Sequence, residues 1–285
     1  MKNGQLDKLI TEALAIEAQD AKEAGVLGYM ARALVQATMP HKKTESNEFT
    51  RHNGNFSLTI LSPSEIGLPY GSIPRVLTAW ITTEAVKTNS RELVLGDSLS
   101  SFMEKIGLVP TGGRWGSITR LRDQMRRLFS SSISCSYRDS QRSSGLNIQV
   151  AEEYHLWWEP KNPDQACLWE SSLILNKRFF DEIVKNPIPI NLNAISTLKR
   201  SPMALDIYCW LTYRMSYLKK TCEIPWPLLQ TQFGSDYGTS GQGVRDFKRA
   251  FLRELKKVIT IYPANIDEEK SYLILKPSPT HIQKS

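Results

Sequence analysis

Four cysteines and four histidines are the only thiol and imidazole metal ligands in 285 residues, and they are scattered. Cys135, Cys167, Cys209 and Cys222 form no C-x-x-C pair and have few histidines near them, which argues against zinc and for reduced thiols in a cytosolic setting. There is no H-E-x-x-H. His155, flanked by aromatics and lacking a histidine or carboxylate cluster, reads as a satisfied structural side chain. The run GGRWGS at 112–117 lacks the G-x-x-x-x-G-K-[ST] of a phosphate-cradling loop and follows no strand directly, so it reads as the start of a helix and no ATPase is expected. Scattered tyrosines without a metal-binding histidine cluster make a poor strand-nicking nuclease. Long apolar runs are missing too: the first residues lack the apolar stretch of a signal peptide, and nothing approaches a transmembrane span. The expectation is a soluble cytoplasmic protein that is not an enzyme and uses no cofactor, metal or membrane.

What is present is basic. Lys and Arg number 36 against 29 for Asp and Glu, a net charge of +7. That excess favours polyanions, nucleic acid first and anionic membrane second. The 41% hydrophobic and 23% charged residues are ordinary for a globular protein, and the length suggests about two domains, each with its own core.

The charge gathers on two amphipathic helices. In TGGRWGSITRLRDQMRRLFSSSI (111–133), Ile118, Leu121, Met125 and Leu128 recur at three- and four-residue steps as one buried stripe. The opposite arc carries Thr119, Arg120, Asp123, Arg126 and Arg127, with Arg114 ahead of it. Such a face suits a DNA groove, and it is also what a solvated amphipathic helix presents. Residues 244–259 repeat the design. At an offset of 126, Val244 falls on Ile118, Phe247 on Leu121 and Phe251 on Met125, while Arg245, Arg249, Arg253 and Lys256 lie opposite the apolar stripe. Two basic helices in the same order of elements favour tandem DNA-binding units over two solvated faces. By charge and geometry, arginines are the candidates for reading guanine, and Lys256 and Arg142 for touching phosphate.

Along the chain, residues 6–37 fit two amphipathic helices or one helix broken at Gly25, and 40–55 reads as an exposed polar, basic loop. A strand is expected at 56–61, an apolar helix at 73–86 with Pro74 in its first turn, a strand at 91–96, a capped helix at 99–106, and then the first basic helix. Two strands, 132–138 and 146–150, follow around a polar connection. Helix, strand, helix, helix and hairpin is the order of a winged helix-turn-helix, with Arg138 and Arg142 in or beside the wing. A joint is placed at 155–165, a strand at 168–175 and a short helix at 177–185. The order then recurs, with a helix around 202–215, a strand at 222–226, a short helix at 227–233, the second basic helix, and strands at 260–263 and 271–276. The expected fold is α+β: an N-terminal helical extension (1–55) and two tandem winged helix-turn-helix domains (56–160 and 161–285). Trp80 and Trp210 are expected in the core, whereas Trp115 can meet either core or DNA.

The runs GLPYGSIPRVLTAWITTEA (67–85), SRELVLGDSLSSFM (90–103) and TGGRWGSITRLRDQMRRLF (111–129) resemble the plasmid-encoded RepA family of replication initiators, a likeness extending from about residue 56 onward. The resemblance implies a bacterial, plasmid-associated, tandem winged-helix initiator that binds directly repeated origin sequences (iterons) as double-stranded DNA, promotes origin opening and recruits host replication proteins such as helicase or primase components. It also implies that the C-terminal unit is the principal reader of the repeat, while its N-terminal partner contacts backbone and mediates dimerisation, a homodimer often repressing its own gene. A winged-helix transcriptional repressor without an initiator role is the alternative, and an enzyme acting on DNA a distant third.

Overall fold

The computed structural model describes residues 27–141, 143–158, 161–165, 171–234 and 236–282. The helical pattern expected over 6–26, together with Arg142 and Cys167, lies outside them. The described chain begins with strand β1 (Leu27–Ala31) and a single helical turn, α1 (Arg32–Gln36). A helix was expected through both. β1 is extended instead because it pairs antiparallel with a strand far along the chain, and Gly28 leaves the room that a Cβ would take from Leu192. Tertiary pairing has overridden local propensity here. β2 (Glu48–Asn53) and β3 (Phe56–Leu61) then form a hairpin, so the expected exposed loop is in part a strand.

Next come α2 (Ser72–Thr88), β4 (Glu92–Gly96), α3 (Leu99–Lys105) and α4 (Ser117–Phe129). Each boundary has a local cause. Pro74 occupies the first turn of α2, where a missing N–H costs nothing, and the Ser98 hydroxyl accepts from the Ser101 amide at 3.2 Å to cap α3. Gly107, at φ 71°, turns the chain beyond its end. The stripe Ile118, Leu121, Met125 and Leu128 of α4 is buried, as its spacing predicts.

The two strands after α4, β5 (Ser132–Arg138) and β6 (Ser143–Gln149), pair with each other, but β5 also joins β3, giving a four-stranded sheet in the order β2–β3–β5–β6. β4 is sheeted with later strands, β7 (Ala151–His155) and β8 (Ser171–Leu175), in the order β4–β8–β7. The hairpin bearing Arg138 therefore does not close the sheet of the helical trio, contrary to the sequence reading. The β7–β8 connection does, and the stretch read as a joint lies between two neighbouring strands. Trp158 anchors this connection, stacking on Phe102 at 5.1 Å and donating its indole N–H to the Gly96 carbonyl at 3.3 Å.

After α5 (Lys177–Lys185), β9 (Pro187–Asn191, the partner of β1) and α6 (Leu192–Leu198), the same path is traced again. It runs through α7 (Pro202–Met215), β10 (Cys222–Pro225), α8 (Trp226–Phe233), α9 (Gly241–Ile261), β11 (Ile266–Glu268) and β12 (Tyr272–Leu275). The sheet order β10–β12–β11 again places the last strand in the middle. Residues 260–261 prolong α9 rather than forming a strand, and the strand instead begins at Ile266, in the polar run read as a loop. This unit is centred on aromatics: Trp210, Phe233, Phe247, Phe251 and Trp226 meet mostly edge to face.

One buried apolar cluster runs through both units. They are also tied by polar groups from the segment 27–53. The Gln36 carbonyl accepts from Asn53 Nδ2 at 2.8 Å and from Gln232 Nε2 at 3.1 Å, and the Thr38 hydroxyl donates to the Gln232 carbonyl. Arg51, wholly buried, donates to the Phe233 carbonyl and lies over the Phe49 ring; burial pushes its guanidinium down to about 10. Arg75 of α2 and Asp206 of α7 form a buried pair, which His41 joins through a 2.7 Å contact with Asp206. Burial works against the Asp206 charge, yet Arg75 and the hydrogen bonds from His41 and Arg75 hold its carboxyl below the usual range.

Candidate nucleic-acid interface

α4 and α9 occupy the same place in the two paths, the helix before the closing hairpin. Both are entered through a glycine that packs against a preceding carbonyl. A Cβ on Gly116 would fall inside van der Waals contact with the Thr111 oxygen, and one on Gly243 would do the same with Gly238. The Thr111 loop is further fastened by Ser117, whose hydroxyl donates to the Val109 carbonyl at 2.6 Å and accepts from the Thr111 amide at 2.9 Å. Gly116 is thus the N-cap of α4, and Gly243 lies in the first turn of α9, where the Ser240 side chain accepts from its amide at 3.2 Å.

On α9, at about 100° per residue, Arg245, Lys256, Arg249 and Arg253 fall within an arc of about 80°. All four are exposed, and the opposite face buries Phe247, Phe251, Leu255 and Val258. The arginines are held loosely by their own helix: Arg245 donates Nε and Nη2 to Gln242 Oε1 (3.1 and 2.8 Å), and Arg249 lies 3.8 Å from Asp246. Arg253 contacts Glu254, a buried carboxylate on the inner face. Burial alone would raise Glu254, but hydrogen bonds from Lys257, Ser201 and Arg253 hold it below its ordinary value, so it remains charged and anchors that end of the arc. Exposed pairs of this kind are weak and readily exchanged for phosphate.

On α4 the exposed arc is wider. Arg120 and Arg126 are exposed, as expected, and Arg122 joins them there, a residue the sequence reading assigned to neither face. Thr119 is exposed, with its hydroxyl donating to the Gly113 carbonyl at 2.9 Å. Arg114 sits in the preceding loop with its guanidinium 5.1 Å from the ring centre of Trp115, which is 80% exposed and so belongs to the surface rather than the core. Arg127 differs from the expectation. Its side chain is only 14% exposed, paired to Asp123 at 2.8 Å, donating to the Leu68 carbonyl and lying over Tyr70. One step of helix rotation separates it from Arg126, and that step turns it inward. Arg142 lies outside the described residues.

Beside α9, a cleft of about 380 Å³ opens between the helix and the β11–β12 turn, lined by Arg245, Lys248, Lys270 and Tyr272 among others. Lys248 is fixed there, donating to the Glu269 carbonyl at 2.7 Å over the Trp226 ring. Lys270 did not stand out in the sequence, because it falls in the polar connection between the two expected strands and only the turn places it beside the helix.

The sequence pattern of plasmid-encoded RepA proteins matches residues 68–226, more than half of the chain. The chain belongs to the RepA family. The RepA match takes in α2 to α7 and the first residue of α8, so it includes α4 and stops short of α9. In fold, this RepA protein is similar to domains 2 and 3 of RctB. One crystal structure, of selenomethionine derivatives, gives a TM-score of 0.55 at 10% identity over 87% of this chain and 99% of that one. A second gives 0.52 at 12% identity over 86% and 97%. At such identity the likeness is one of fold. No curated protein matches the chain. Membership of the RepA family supports a role in initiating plasmid DNA replication, and with it DNA binding. Among the described residues no helix is long and apolar enough to cross a membrane.

Proposed function

We propose that the protein is a plasmid replication initiator that binds repeated origin sequences as duplex DNA, promotes opening of the origin and brings in host helicase or primase components. The observation that carries this reading is the recurrence of one path, helix–strand–helix–helix–hairpin with the last strand central, in which the helix before the hairpin exposes arginines each time. That is the path of a winged helix. The first unit then runs from α2 to β8 and the second from α7 to β12, their wings being the β7–β8 and β11–β12 connections. α9 is the major-groove reader, through Arg245, Arg249 and Arg253, with Lys256, Lys248 and Lys270 on phosphate. α4 makes the second contact through Arg120, Arg122 and Arg126. Two readers on one chain raise each other's effective concentration. No catalytic group is assigned, and the protein acts in the cytoplasm on plasmid DNA, as monomer or homodimer.

The test is replication in trans. A plasmid carrying the cognate origin but lacking its own initiator replicates when this protein is supplied, and fails with the Arg249→Ala variant. Failure with the unaltered protein, alongside intact operator binding, replaces this reading with that of a stand-alone repressor.

A further inference from the structure

The two basic helices are joined at a corner that belongs to neither. α6 ends and α7 begins at Lys199, Arg200 and Ser201. On one side, Lys199 and Arg200 share a cleft of about 500 Å³ with Arg120 of α4. On the other, the Ser201 side chain hydrogen-bonds Glu254 of α9.

Three cations thus face one cavity. Among the described residues neither Arg120 nor Arg200 has a carboxylate partner. Lys199 donates to the Gly107 carbonyl and to the Ser196 hydroxyl, neutral acceptors that fix its position without cancelling its charge. The single carboxylate lining the cleft, Asp123, is already matched by Arg127 Nε at 2.8 Å and Gln124 Nε2 at 3.1 Å. The start of α2 lines the same cleft, and its N-cap Gly71 offers no side-chain acceptor, so the helix brings its positive end to this space. Cations that merely keep a protein soluble have no reason to converge from α4 and the α6–α7 corner on an uncapped helix terminus.

We propose that this corner cleft is a phosphate-binding site, and that on origin DNA it holds a backbone phosphate lying between the two recognition helices. The proposal rests on the reading of α4 and α9 as duplex binders. Its chemistry, Arg120 and Arg200 closing on the anionic oxygens of a phosphate group beside helix amides, is shared by a free phosphate or nucleotide.

Two arms separate the sources. In the first, the affinity of the full chain for a duplex carrying the cognate repeat and for a scrambled duplex is measured by fluorescence anisotropy across a salt series. Arg200→Ala and Arg120→Ala weaken both duplexes alike and flatten the slope of log K against log salt by about 0.9 for each lost contact. Arg200→Lys keeps the slope, and Arg249→Ala instead narrows the gap between the two duplexes. In the second, inorganic phosphate and ADP are titrated calorimetrically into the DNA-free protein. Uptake that Arg200→Ala abolishes, with the DNA slope unchanged, keeps the anion site and assigns it to a free ligand. Unchanged slopes and no uptake, while Arg249→Ala still damages cognate binding, overturn the cleft and leave the DNA reading intact. Uptake by a protein that binds no duplex sinks the DNA reading and keeps the cleft.

Discussion

Arg75 of α2 and Asp206 of α7 meet through two parallel hydrogen bonds, Nε to Oδ1 and Nη2 to Oδ2, both 2.7 Å, with the side chains 2% and 8% exposed. The remaining guanidinium donors go to the Gly71, Pro40 and Met39 carbonyls, so the pair is fully engaged where the two units touch. Removing one partner of such a pair strands the other charge in the interior. Asp206→Asn is expected to cost about 3–5 kcal/mol in urea unfolding. Arg75→Met combined with Asp206→Leu is expected to recover most of it, because the cost lies in the orphaned charge. A loss below about 1 kcal/mol for Asp206→Asn would mean that the pair does not hold the units together.

Acid is expected to act on the same cluster in two stages. Burial pushes His41 below its ordinary value, and Arg75 and Arg51 add to this, outweighing the lift from Asp206. The folded state therefore takes up its proton later than the unfolded one as pH falls, and stability present above about pH 6.5 is progressively lost below it. Asp206, held low, contributes stability that is present above about pH 4 and lost beneath that, as pH falls through its folded value. Melting temperature followed from pH 8 to pH 5 should decline, and His41→Gln should remove the decline. A flat profile for the unaltered protein would contradict the depressed His41.

The inward turn of Arg127 separates two neighbouring arginines by role. Arg127→Ala combined with Asp123→Asn, which leaves no unmatched carboxylate in the corner cleft, should lower stability by about 1 kcal/mol, through the lost packing and the lost hydrogen bond to Leu68, and leave duplex affinity near its original value. Arg249→Ala should do the reverse, leaving the melting temperature unchanged and weakening binding to the cognate repeat by about tenfold. Anisotropy titration alongside thermal melting distinguishes them, and equal DNA-binding losses in the two variants would place Arg127 on the interface after all.

The glycine turn ahead of α9 makes a sharper contrast. Gly243→Ala drives a Cβ into the Gly238 carbonyl and should destabilise the start of the helix, with a lower melting temperature and weaker DNA binding together. Gly238→Ala, with nothing within 4 Å of the new methyl, should leave both within experimental scatter. Circular dichroism melts of the two variants give the comparison.

Periodicity was enough to place the elements that carry their own signal. β3 falls at 56–61 as its alternation requires, and α4 buries the stripe that its three- and four-residue spacing marks. What escaped was decided by distant partners. Leu27–Ala31 is apolar enough for a helix, and only the presence of β9 makes it a strand. His41 and Arg51 sit in a polar, basic stretch that looks solvated, yet His41 finds Asp206 165 positions away. The hairpin after α4 has the right order for a wing, and order alone could not reveal that β3 would capture it. The α9 arc was legible because a helix keeps its faces in register with sequence; Lys199, Arg200 and Lys270 were not, because each reaches its place through a turn.

The segment that ties the units also sets a schedule for making them. Gln36 and Thr38 wait for Gln232, 196 and 194 positions downstream. At a synthesis rate of about 5–20 residues per second, that is a delay of roughly ten to forty seconds. For most of it Leu34 and Val35, both buried in the finished protein, have no α7 to pack against. A nascent chain in this state presents apolar surface at its early end until the later helix is made. Slowing translation ahead of residue 232 is then a means of lowering the yield of active protein without altering a single side chain.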